Sequence, residues 1–370
     1  MDGFVEVGGE GLPWFGGYVL RWLEPERAHW FAMLALKSGI AGLEAHGLLA
    51  PGPEDPILAV DLWGLSFPNP VGMAAGFDKN GEVCEPLLGL GFGFVEVGSV
   101  TPRPQPGNPK PRLFRLPADR AIINRMGFNN DGMERVASRL AARSRKAGIV
   151  GTNLGKNKDT EEAAADYESG VSTLAPVSDY LVINVSSPNT PGLRALQGRA
   201  PLAALVARVR AALSTAVTDR KLPPLLLKIA PDLTMEDLRD IAEVALQGGI
   251  DGMIVSNTTT ARPGGLRSHH RGETGGLSGE PLLDPSTAVL RDMYALTGGQ
   301  LPLIGVGGIR NGEDAYAKIR AGASLVQLYT ALVYQGPRLI ARIKRDLAAS
   351  LRADGYASVA EAVGADHREI

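Results

Sequence analysis

The sequence predicts an α/β protein folded as a (β/α)8 TIM barrel, with an N-terminal helical extension and a short β-hairpin before the barrel. Eight short apolar runs alternate with longer segments of helical periodicity between residues 71 and 352. This alternation is typical of parallel strands joined by crossover helices. The chain has 370 residues, which is enough for one barrel with a large core.

A doubly wound open sheet is the competing fold for such an alternation. It would be favoured by an early GxGxxG motif, in which glycines let a dinucleotide approach the backbone. The nearest candidate, Gly89–Gly93, has a different glycine spacing. The barrel is therefore the favoured architecture.

The first fifty residues differ in composition from the rest. They contain Trp14, Trp22 and Trp30, three of the four tryptophans, interleaved with charged residues. Pro25 can begin a helix, and Glu26 suits its first turn. We predict two short amphipathic helices that join near Leu23–Pro25. Composition alone allows them either to pack on the main domain or to lie at a membrane interface.

The chain divides into residues 1–50, the amphipathic helical segment, and residues 51–370, the barrel domain. Residues 50–56 have the composition of a linker, and Ile57–Phe67 alternates and turns at Gly64, which predicts a hairpin. The predicted barrel strands are Gly72–Ala75, Phe94–Gly98, Ile149–Asn153, Tyr180–Asn184, Leu225–Ile229, Gly252–Ser256, Leu303–Val306 and Leu325–Tyr329. The predicted helices are Met133–Ala147, Thr160–Thr173, Pro201–Thr215, Thr234–Gln247, Asp284–Leu296, Asn311–Ala321 and Pro337–Arg352.

Charge and cysteine content exclude several classes of function. The formal net charge is −2, so no overall field attracts nucleic acid, and we expect no nucleic-acid partner. A single cysteine, Cys84, excludes an internal disulfide framework and a multi-cysteine metal site. The five histidines form no HExxH motif, so we expect no protein-held metal. We also expect neither a signal peptide nor a transmembrane helix.

A polar loop, Asn184–Arg194, follows the apolar run Tyr180–Ile183. Catalytic groups of parallel barrels lie at the carboxyl ends of the strands, so this change from apolar to polar residues indicates a site. Its Ser-Pro and Asn-Thr-Pro sequences also occur in ordinary turns. Further polar strand ends elsewhere in the chain favour the functional interpretation.

Two lysines and several carboxamides occupy other strand ends. Lys79 follows the first barrel strand, and it could form a Schiff base, pair with an anion or lie on the surface. Lys228 lies inside an apolar strand, where a buried ammonium needs a partner. Carboxamides both donate and accept hydrogen bonds, so a group of them at the barrel mouth suggests a planar heterocyclic ligand. These carboxamides are Asn124, Asn153, Asn184, Asn189 and Asn257.

Glycine-rich loops late in the chain predict a phosphate site. Gly305–Gly308 follows the seventh strand, Tyr329 and Thr330 follow the eighth, and Gly275–Gly279 adds a third loop. Barrels commonly bind phosphate at the loops after strands seven and eight, where backbone N–H groups converge.

Taken together, these segments resemble class 2 dihydroorotate dehydrogenases, the quinone-dependent, FMN-containing enzymes of pyrimidine (UMP) biosynthesis. The resemblance covers almost the whole chain, and Leu23–His29 is similar to the membrane-associating extension of class 2. The segments that carry it in the barrel domain are Ala75–Lys79, Ser99–Arg115, Asn124–Asn130, Asn184–Arg194, Thr274–Gly279 and Gly305–Ile309.

The resemblance implies a reaction and a set of residues for it. Ser187 occupies the general-base position, where class 1 enzymes carry cysteine. It would take the proton from C5 of (S)-dihydroorotate as hydride leaves C6 for N5 of FMN, with a threonine or water relaying the proton. The implied substrate-binding residues are Lys79, Asn124, Arg125, Met126, Gly127, Phe128, Asn184, Asn189, Asn257 and Thr258. The implied FMN-binding residues are Ala74, Ala75, Gly76, Lys79, Ser99, Asn153, Asn184, Lys228, Ser256, Gly279, Gly308, Tyr329 and Thr330.

The resemblance also implies partners and a location. One FMN would bind non-covalently, without a metal, and electrons would pass to a membrane quinone at a site formed by Arg115, Tyr329 and His29. Residues 1–50 would bind the lipid surface and admit quinone. The protein would be a monomer, peripheral on the cytoplasmic side of the cell inner membrane.

Three other functions fit parts of this pattern. One is a soluble class 1-type flavin barrel that passes electrons to fumarate or NAD, against which Ser187 and the N-terminal segment argue. A barrel aldolase would use Lys79 or Lys228 as a Schiff base. A membrane-associated scaffold would bind a phosphorylated ligand without turnover.

Overall fold

The structure, a computed structural model, describes residues 22–39 and 54–368. Its thirteen strands are β1 Val60–Leu62, β2 Leu65–Phe67, β3 Val71–Met73, β4 Phe94–Val100, β5 Leu113–Leu116, β6 Ala121–Asn124, β7 Ile149–Leu154, β8 Tyr180–Asn184, β9 Leu225–Ile229, β10 Gly252–Val255, β11 Gly276–Gly279, β12 Leu303–Val306 and β13 Ala323–Leu328. Its helices are α1 Pro25–Lys37, α2 Cys84–Gly89, α3 Met133–Ala142, α4 Ala163–Leu174, α5 Arg199–Ala216, α6 Met235–Gln247, α7 Leu283–Leu296, α8 Gly312–Arg320, α9 Thr330–Gln335, α10 Arg338–Ala353 and α11 Val359–Ala362.

Eight parallel strands close into a barrel in the order β10-β12-β13-β3-β4-β7-β8-β9. They are the eight predicted strands, with ends that differ by at most two residues, so the fold prediction is confirmed. The barrel closes where β13 pairs with β3, which aligns Val326 with Val71. The predicted helix Met133–Ala147 is too long: it ends at Ala142 because Arg143 adopts an extended backbone conformation.

The hairpin of β1 and β2 closes the amino-terminal end of the barrel. It turns at Trp63 and Gly64, which both adopt positive φ angles, of 58° and 82°, as the tight turns of hairpins require. The Trp63 indole donates to the Asp251 carbonyl at 2.7 Å, and the Phe67 ring packs edge-on against Phe94 at 5.4 Å. The hairpin prediction is confirmed.

A three-stranded antiparallel sheet, in the order β11-β6-β5, was not predicted. The middle strand aligns Asn124 with Leu113 on one side and with Gly276 on the other. Phe114, Leu116 and Ile123 help to form a small apolar core of its own, apart from the barrel core. This sheet brings residues of two distant loops, one after β4 and one after β10, into one wall above the barrel mouth.

Helix α1 begins as predicted, with Pro25 in its first turn and Glu26 acidic in that turn. The Glu24 carboxylate caps it by accepting from the N–H groups of Glu26 and Arg27. One face of α1 buries Met33 and Leu36 in the main core. The predicted helix that precedes Leu23, and Trp14 within it, lie outside the described residues, which begin at Trp22.

The opposite face of α1 is apolar and exposed. Trp22 before the helix is 89% exposed, and Trp30, Phe31 and Leu34 are 58%, 44% and 47% exposed. Among the helices in the described part of the chain, none combines the length and apolar character that crossing a membrane requires. The segment therefore packs on the domain by one face and presents a second apolar face to its surroundings.

Large side chains fill the barrel below its mouth. The rings of Phe94 and Tyr180 are fully buried, with centroids 6.3 Å apart. A Cβ atom added at Gly151 would lie 2.0 Å from the Tyr180 ring, so only glycine leaves room for this layer. These buried rings therefore close the bottom of any cavity that opens at the barrel mouth.

The Gly151→Ala substitution should destabilise the fold, by roughly 1–3 kcal/mol, because the added methyl group overpacks the core. Urea unfolding followed by circular dichroism measures the change. Gly264→Ala is the matched control, since a Cβ atom there meets nothing within 4 Å. Equal unfolding midpoints for the two variants would show that the layer tolerates the extra volume.

Candidate active site

A cavity of about 720 Å³ lies between the carboxyl ends of the barrel strands, the three-stranded sheet and helix α1. It gathers side chains and loops from most barrel strands, as the closed topology requires. The predicted site residues that line it are Ala74, Ala75, Gly76, Lys79, Ser99, Asn124, Met126, Gly127, Phe128, Asn184, Ser187, Asn189, Lys228, Ser256, Asn257, Thr258, Gly279, Gly308, Tyr329 and Thr330. His29, predicted for the quinone site, lines it from α1.

Three predicted site residues are not among those that line the cavity. The Arg125 guanidinium pairs with Glu273 at 2.8 Å and lies over the Phe114 ring. The Arg115 guanidinium donates to the Leu23 carbonyl at 2.7 Å, at the base of α1. Asn153 lies behind the wall and contacts residues that face the cavity.

The loop after β8 carries Ser187 into the cavity. Ser187 is buried, and its Oγ accepts a hydrogen bond from the Asn189 N–H at 3.2 Å. The Asn189 side chain then donates to Asn124 Oδ1 on β6 at 3.1 Å. The loop thus brings a hydroxyl and two carboxamides together.

Arg194 fixes this loop from behind, a role not predicted from the sequence. Its guanidinium donates to the carbonyls of Ser186, at 2.9 Å, and Thr258, at 3.0 Å. It also pairs with the Asp232 carboxylate at 2.8 Å. Three contacts in one plane suit the fork of a guanidinium and join the ends of two barrel strands.

The carboxamides form a directional hydrogen-bond chain. Asn184 Nδ2 donates to Asn153 Oδ1 and to Ser99 Oγ, both at 2.9 Å. Asn184 Oδ1 accepts from the Ser186 hydroxyl at 2.7 Å, and Asn257 Nδ2 donates to the same hydroxyl at 2.9 Å. Of the predicted carboxamides, Asn124, Asn184, Asn189 and Asn257 line the cavity, whereas Asn153 lies behind its wall.

Lys79 lies in a loop that Asp78 shapes. The fully buried Asp78 carboxylate accepts from the backbone N–H groups of Asn80, Glu82 and Val83 at 2.8–3.2 Å. Lys79 Nζ donates to the Gly76 carbonyl at 2.7 Å. Burial lowers the pKa of Lys79 to about 8, an effect that the charge of Glu26 partly opposes. The lysine is therefore a cation at the cavity wall at neutral pH.

Lys228 and Glu96 form an ion pair inside the barrel. Lys228 Nζ lies 3.5 Å from Glu96 Oε1, and both side chains are buried. Glu96 was not predicted as a site residue. The signal was nevertheless available, since Glu96 is a charged residue in an apolar strand, the same feature that identified Lys228.

Aromatic rings connect helix α1 to the cavity. The His29 ring packs edge-on against Phe77 at 5.2 Å, and Phe77 packs against Tyr329 at 5.5 Å. Burial, aided by the charge of Lys79, lowers the pKa of His29 to about 3, so the imidazole is neutral at physiological pH. The imidazole therefore adds no charge to this part of the cavity, which Lys79 and Glu26 also line.

Glycine-rich loops form another part of the cavity wall. Gly307, Gly308 and Gly279 have positive φ angles of 120°, 78° and 101°. A Cβ atom at Gly308 would lie 2.4 Å from the Cα atom of Leu283, so a side chain cannot be accommodated there. Thr330 Oγ1 lies 2.8 Å from Ser278 Oγ beside these loops. Close backbone approach with hydroxyl groups is suited to a phosphate.

The backbone at Phe128 is held in an uncommon conformation. Phe128, which lines the cavity, has a φ of 56°, a region that bulky residues rarely adopt. Its carbonyl accepts from Asn130 Nδ2 at 2.7 Å and from Gln105 Nε2 at 3.1 Å. Two side chains outside the predicted set therefore fix the ring above the cavity.

Within residues 22–39 and 54–368, no group of three or more His, Cys, Asp or Glu side chains could hold a metal ion. Cys84 is buried, and its sulfur contacts Asp78 Oδ2 at 3.6 Å. It therefore lies away from the loop Asn184–Arg194 that carries Ser187, the serine loop. The cavity instead is lined by amide, hydroxyl and ammonium groups, by the glycine loops and by α1.

Comparisons with known proteins identify the family to which the chain is similar. The family model described as dihydroorotate dehydrogenase matches residues 57–351. A protein of Rhodospirillum rubrum named dihydroorotate dehydrogenase (quinone) is 65% identical over 357 residues, which cover 95% of each chain. The mitochondrial dihydroorotate dehydrogenase (quinone) of Mus musculus is 53% identical, over 94% of this chain and 88% of that protein. A crystal structure of DHODH from Eimeria tenella in complex with ferulenol matches with a TM-score of 0.88 and 45% identity, over 95% of this chain and 99% of that chain.

Proposed function

The chain belongs to the dihydroorotate dehydrogenase family, in its quinone-dependent class, and from this membership we propose how its cavity works. One FMN and one (S)-dihydroorotate bind in the cavity, and Ser187 is the general base that yields orotate. A membrane quinone approaches along helix α1. The main support is that the serine loop, the carboxamides, Lys79 and Lys228 all line one cavity that continues beneath α1.

The residues of the cavity fit FMN. The glycine loops offer backbone N–H groups, and Thr330 and Ser278 offer hydroxyl groups, for its phosphate. Ser99, Asn184 and Lys228 lie near the barrel centre, where donors and a cation suit the polar edge of the flavin ring. When bound, FMN supplies the acceptor for the hydride from C6 of dihydroorotate and the electrons for quinone.

Lys79 and the carboxamides hold dihydroorotate. Its carboxylate pairs with the Lys79 ammonium, and Asn124, Asn189 and Asn257 bind the amide edges of the pyrimidine ring. A carboxamide can both donate and accept, so it matches the alternating N–H and C=O groups of that edge. In the structure, Asn189 donates to Asn124 and Asn257 donates to Ser186. On binding, the ligand replaces these partners.

Ser187 Oγ takes the proton from C5. Ser187 is buried, and exclusion of water strengthens the interaction of its hydroxyl with the developing charge. A serine is a weak base, so its own proton must pass to an acceptor. Thr190, a buried hydroxyl three residues along the same loop, is the proposed relay.

Helix α1 is the proposed route for quinone and the contact with lipid. The exposed side chains of Trp22, Trp30, Phe31 and Leu34 form an apolar face, and tryptophan favours the boundary between water and hydrocarbon. The neutral His29 and the ring of Tyr329 lie between this face and the cavity. Arg115, at the base of α1, completes the proposed quinone site. On this basis the protein is peripheral to the cytoplasmic side of the inner membrane and acts as a monomer.

Ser187→Ala should keep FMN bound but lose dihydroorotate oxidation by roughly 10²–10⁴-fold, since the general base is removed. Purified protein is made anaerobic and mixed with dihydroorotate, and bleaching of the flavin absorbance gives the rate. Adding quinone to the reduced wild-type protein should restore the colour. A wild-type protein that takes up no FMN would refute the proposed function, and unchanged bleaching in the variant would refute the role of Ser187.

The affinity for orotate should fall as pH rises through about 8. Burial holds the pKa of Lys79 below its ordinary value, so the ammonium is present below pH 8 and lost above it. The dissociation constant measured by flavin absorbance should then rise by up to about tenfold per pH unit above that value. Lys79→Arg keeps its charge over this range and should show no such rise. The same pH profile in wild type and in Lys79→Arg would show that Lys79 does not bind the orotate carboxylate.

Replacing the exposed face of α1 should impair the use of lipid-bound quinone. The variant Trp30→Ser, Phe31→Ser, Leu34→Ser should bind lipid vesicles at least about tenfold more weakly, because more than about 1.4 kcal/mol of apolar burial is removed. Reoxidation by vesicle-held quinone should slow, while flavin bleaching by dihydroorotate is retained. Met235→Gln on α6 is the control, since Met235 is also exposed but lies outside α1. Equal vesicle binding by both variants would contradict the role of this face.

A further inference from the structure

Glu96 is a fully buried carboxylate at the centre of the barrel, two residues beyond Phe94 on β4. Asn153 Nδ2 and Lys228 Nζ donate to its Oε1 at 2.8 Å and 3.5 Å. Gln327 Nε2 and the Tyr180 hydroxyl donate to its Oε2 at 2.7 Å and 3.5 Å. The four donors come from β7, β8, β9 and β13, so Glu96 connects five strands of the barrel.

This carboxylate determines how the neighbouring amides are oriented. An ionised carboxylate only accepts hydrogen bonds, so Asn153 and Gln327 must both turn their NH2 groups towards it. Asn153 Oδ1 then faces the cavity wall, where it accepts from Ser99 and Asn184. Asn184 in turn directs its NH2 group to Asn153, so that its Oδ1 accepts from Ser186 of the serine loop. One charge therefore sets the polarity of the whole carboxamide chain.

The same constraint leaves an acceptor available at the cavity. Gln327 lines the cavity, and its Oε1 is buried without a hydrogen-bond partner among the described residues. A buried carbonyl in that state is costly unless a ligand N–H completes it. Glu96 thus orients Gln327 so that its Oε1 can accept a hydrogen bond from an N–H group of a ligand ring.

Glu96 also offsets the charge of Lys228. The Lys228 side chain is buried beside the cavity, and Glu96 is the carboxylate with which it pairs. Removing one member of a buried ion pair leaves the other uncompensated and raises the local potential. The positive field that Lys228 directs into the cavity therefore depends on Glu96.

We propose that Glu96 is a positioning residue for the FMN site. It orients Asn153 and Gln327, and its negative charge partly offsets the positive charge of Lys228 beside the flavin ring. This inference rests on the proposed function, in which the cavity binds FMN. Glu96 touches neither substrate nor cofactor and acts through these three side chains.

The test is Glu96→Gln in the FMN-loaded protein. A glutamine can donate as well as accept, so it no longer fixes the two amides, and it leaves Lys228 without its counter-charge. The two-electron midpoint potential of the bound flavin should become more positive by at least about 30 mV, which corresponds to a tenfold change in the equilibrium constant. The dissociation constant of FMN, measured by fluorescence titration, should rise at least about tenfold.

Glu54→Gln is the matched control. Glu54 also pairs with a lysine, Lys344, at 2.6 Å, and accepts from a carboxamide, Asn69, at 3.2 Å, but it does not line the cavity. Its potential and FMN affinity should equal those of the wild type. Wild-type values in Glu96→Gln as well would reduce Glu96 to a structural ion pair and overturn the inference.

If Glu96→Gln does not fold, the double variant Glu96→Gln, Lys228→Gln decides the question. Removing both charges should restore thermal stability, because the penalty comes from the unpaired ammonium. A double variant that is no more stable than the single one would overturn the charge-balancing role. A wild-type protein without FMN would instead refute the proposed function, whereas FMN-loaded wild type with an unaffected Glu96→Gln variant refutes only the inference.

Discussion

Closure of the parallel barrel brings the functional side chains of this protein together. The hydrogen bonds between β13 and β3 join the last strand to the first and leave no open edge. All eight carboxyl ends then share one rim, so side chains such as Ser99, Asn184, Lys228 and Ser256 face a common cavity although they are distant in sequence. Without closure the same strand ends would spread along a sheet edge, and no single ligand could reach them.

Because large side chains fill the barrel interior, the cavity at the rim has a closed base that is lined by polar groups. Phe94 and Tyr180 occupy the barrel below it. The polar layer above this floor must satisfy its own hydrogen bonds, because buried groups without partners are costly. Burial, together with the adjacent Glu96 carboxylate, raises the pKa of the Tyr180 hydroxyl well above its ordinary value, so Tyr180 is held as a donor. Donors converging on one acceptor give this layer a defined direction.

Helix α1 reconciles two interpretations of the N-terminal sequence. Met33 and Leu36 pack in the core, and Glu26 pairs with Arg112 at 2.9 Å and with Lys110 at 3.2 Å. These contacts tie the helix to the barrel domain. The exposed apolar residues on its other side leave the membrane interpretation intact, because an amphipathic helix can serve two surfaces at once.

The sequence by itself determined the barrel, the polar loop after β8 and the glycine loops, since apolar periodicity and turn residues are local properties. It also identified Lys228 as a charge in an apolar strand, and the same rule applied to β4 would have identified Glu96. Only the tertiary structure decided that β6 pairs with β11, that Arg125 turns to Glu273 and that Asn153 stands behind the cavity wall. Those outcomes depend on which distant strands and side chains meet, and that is fixed by closure and packing of the whole chain, not by the residues adjacent in sequence.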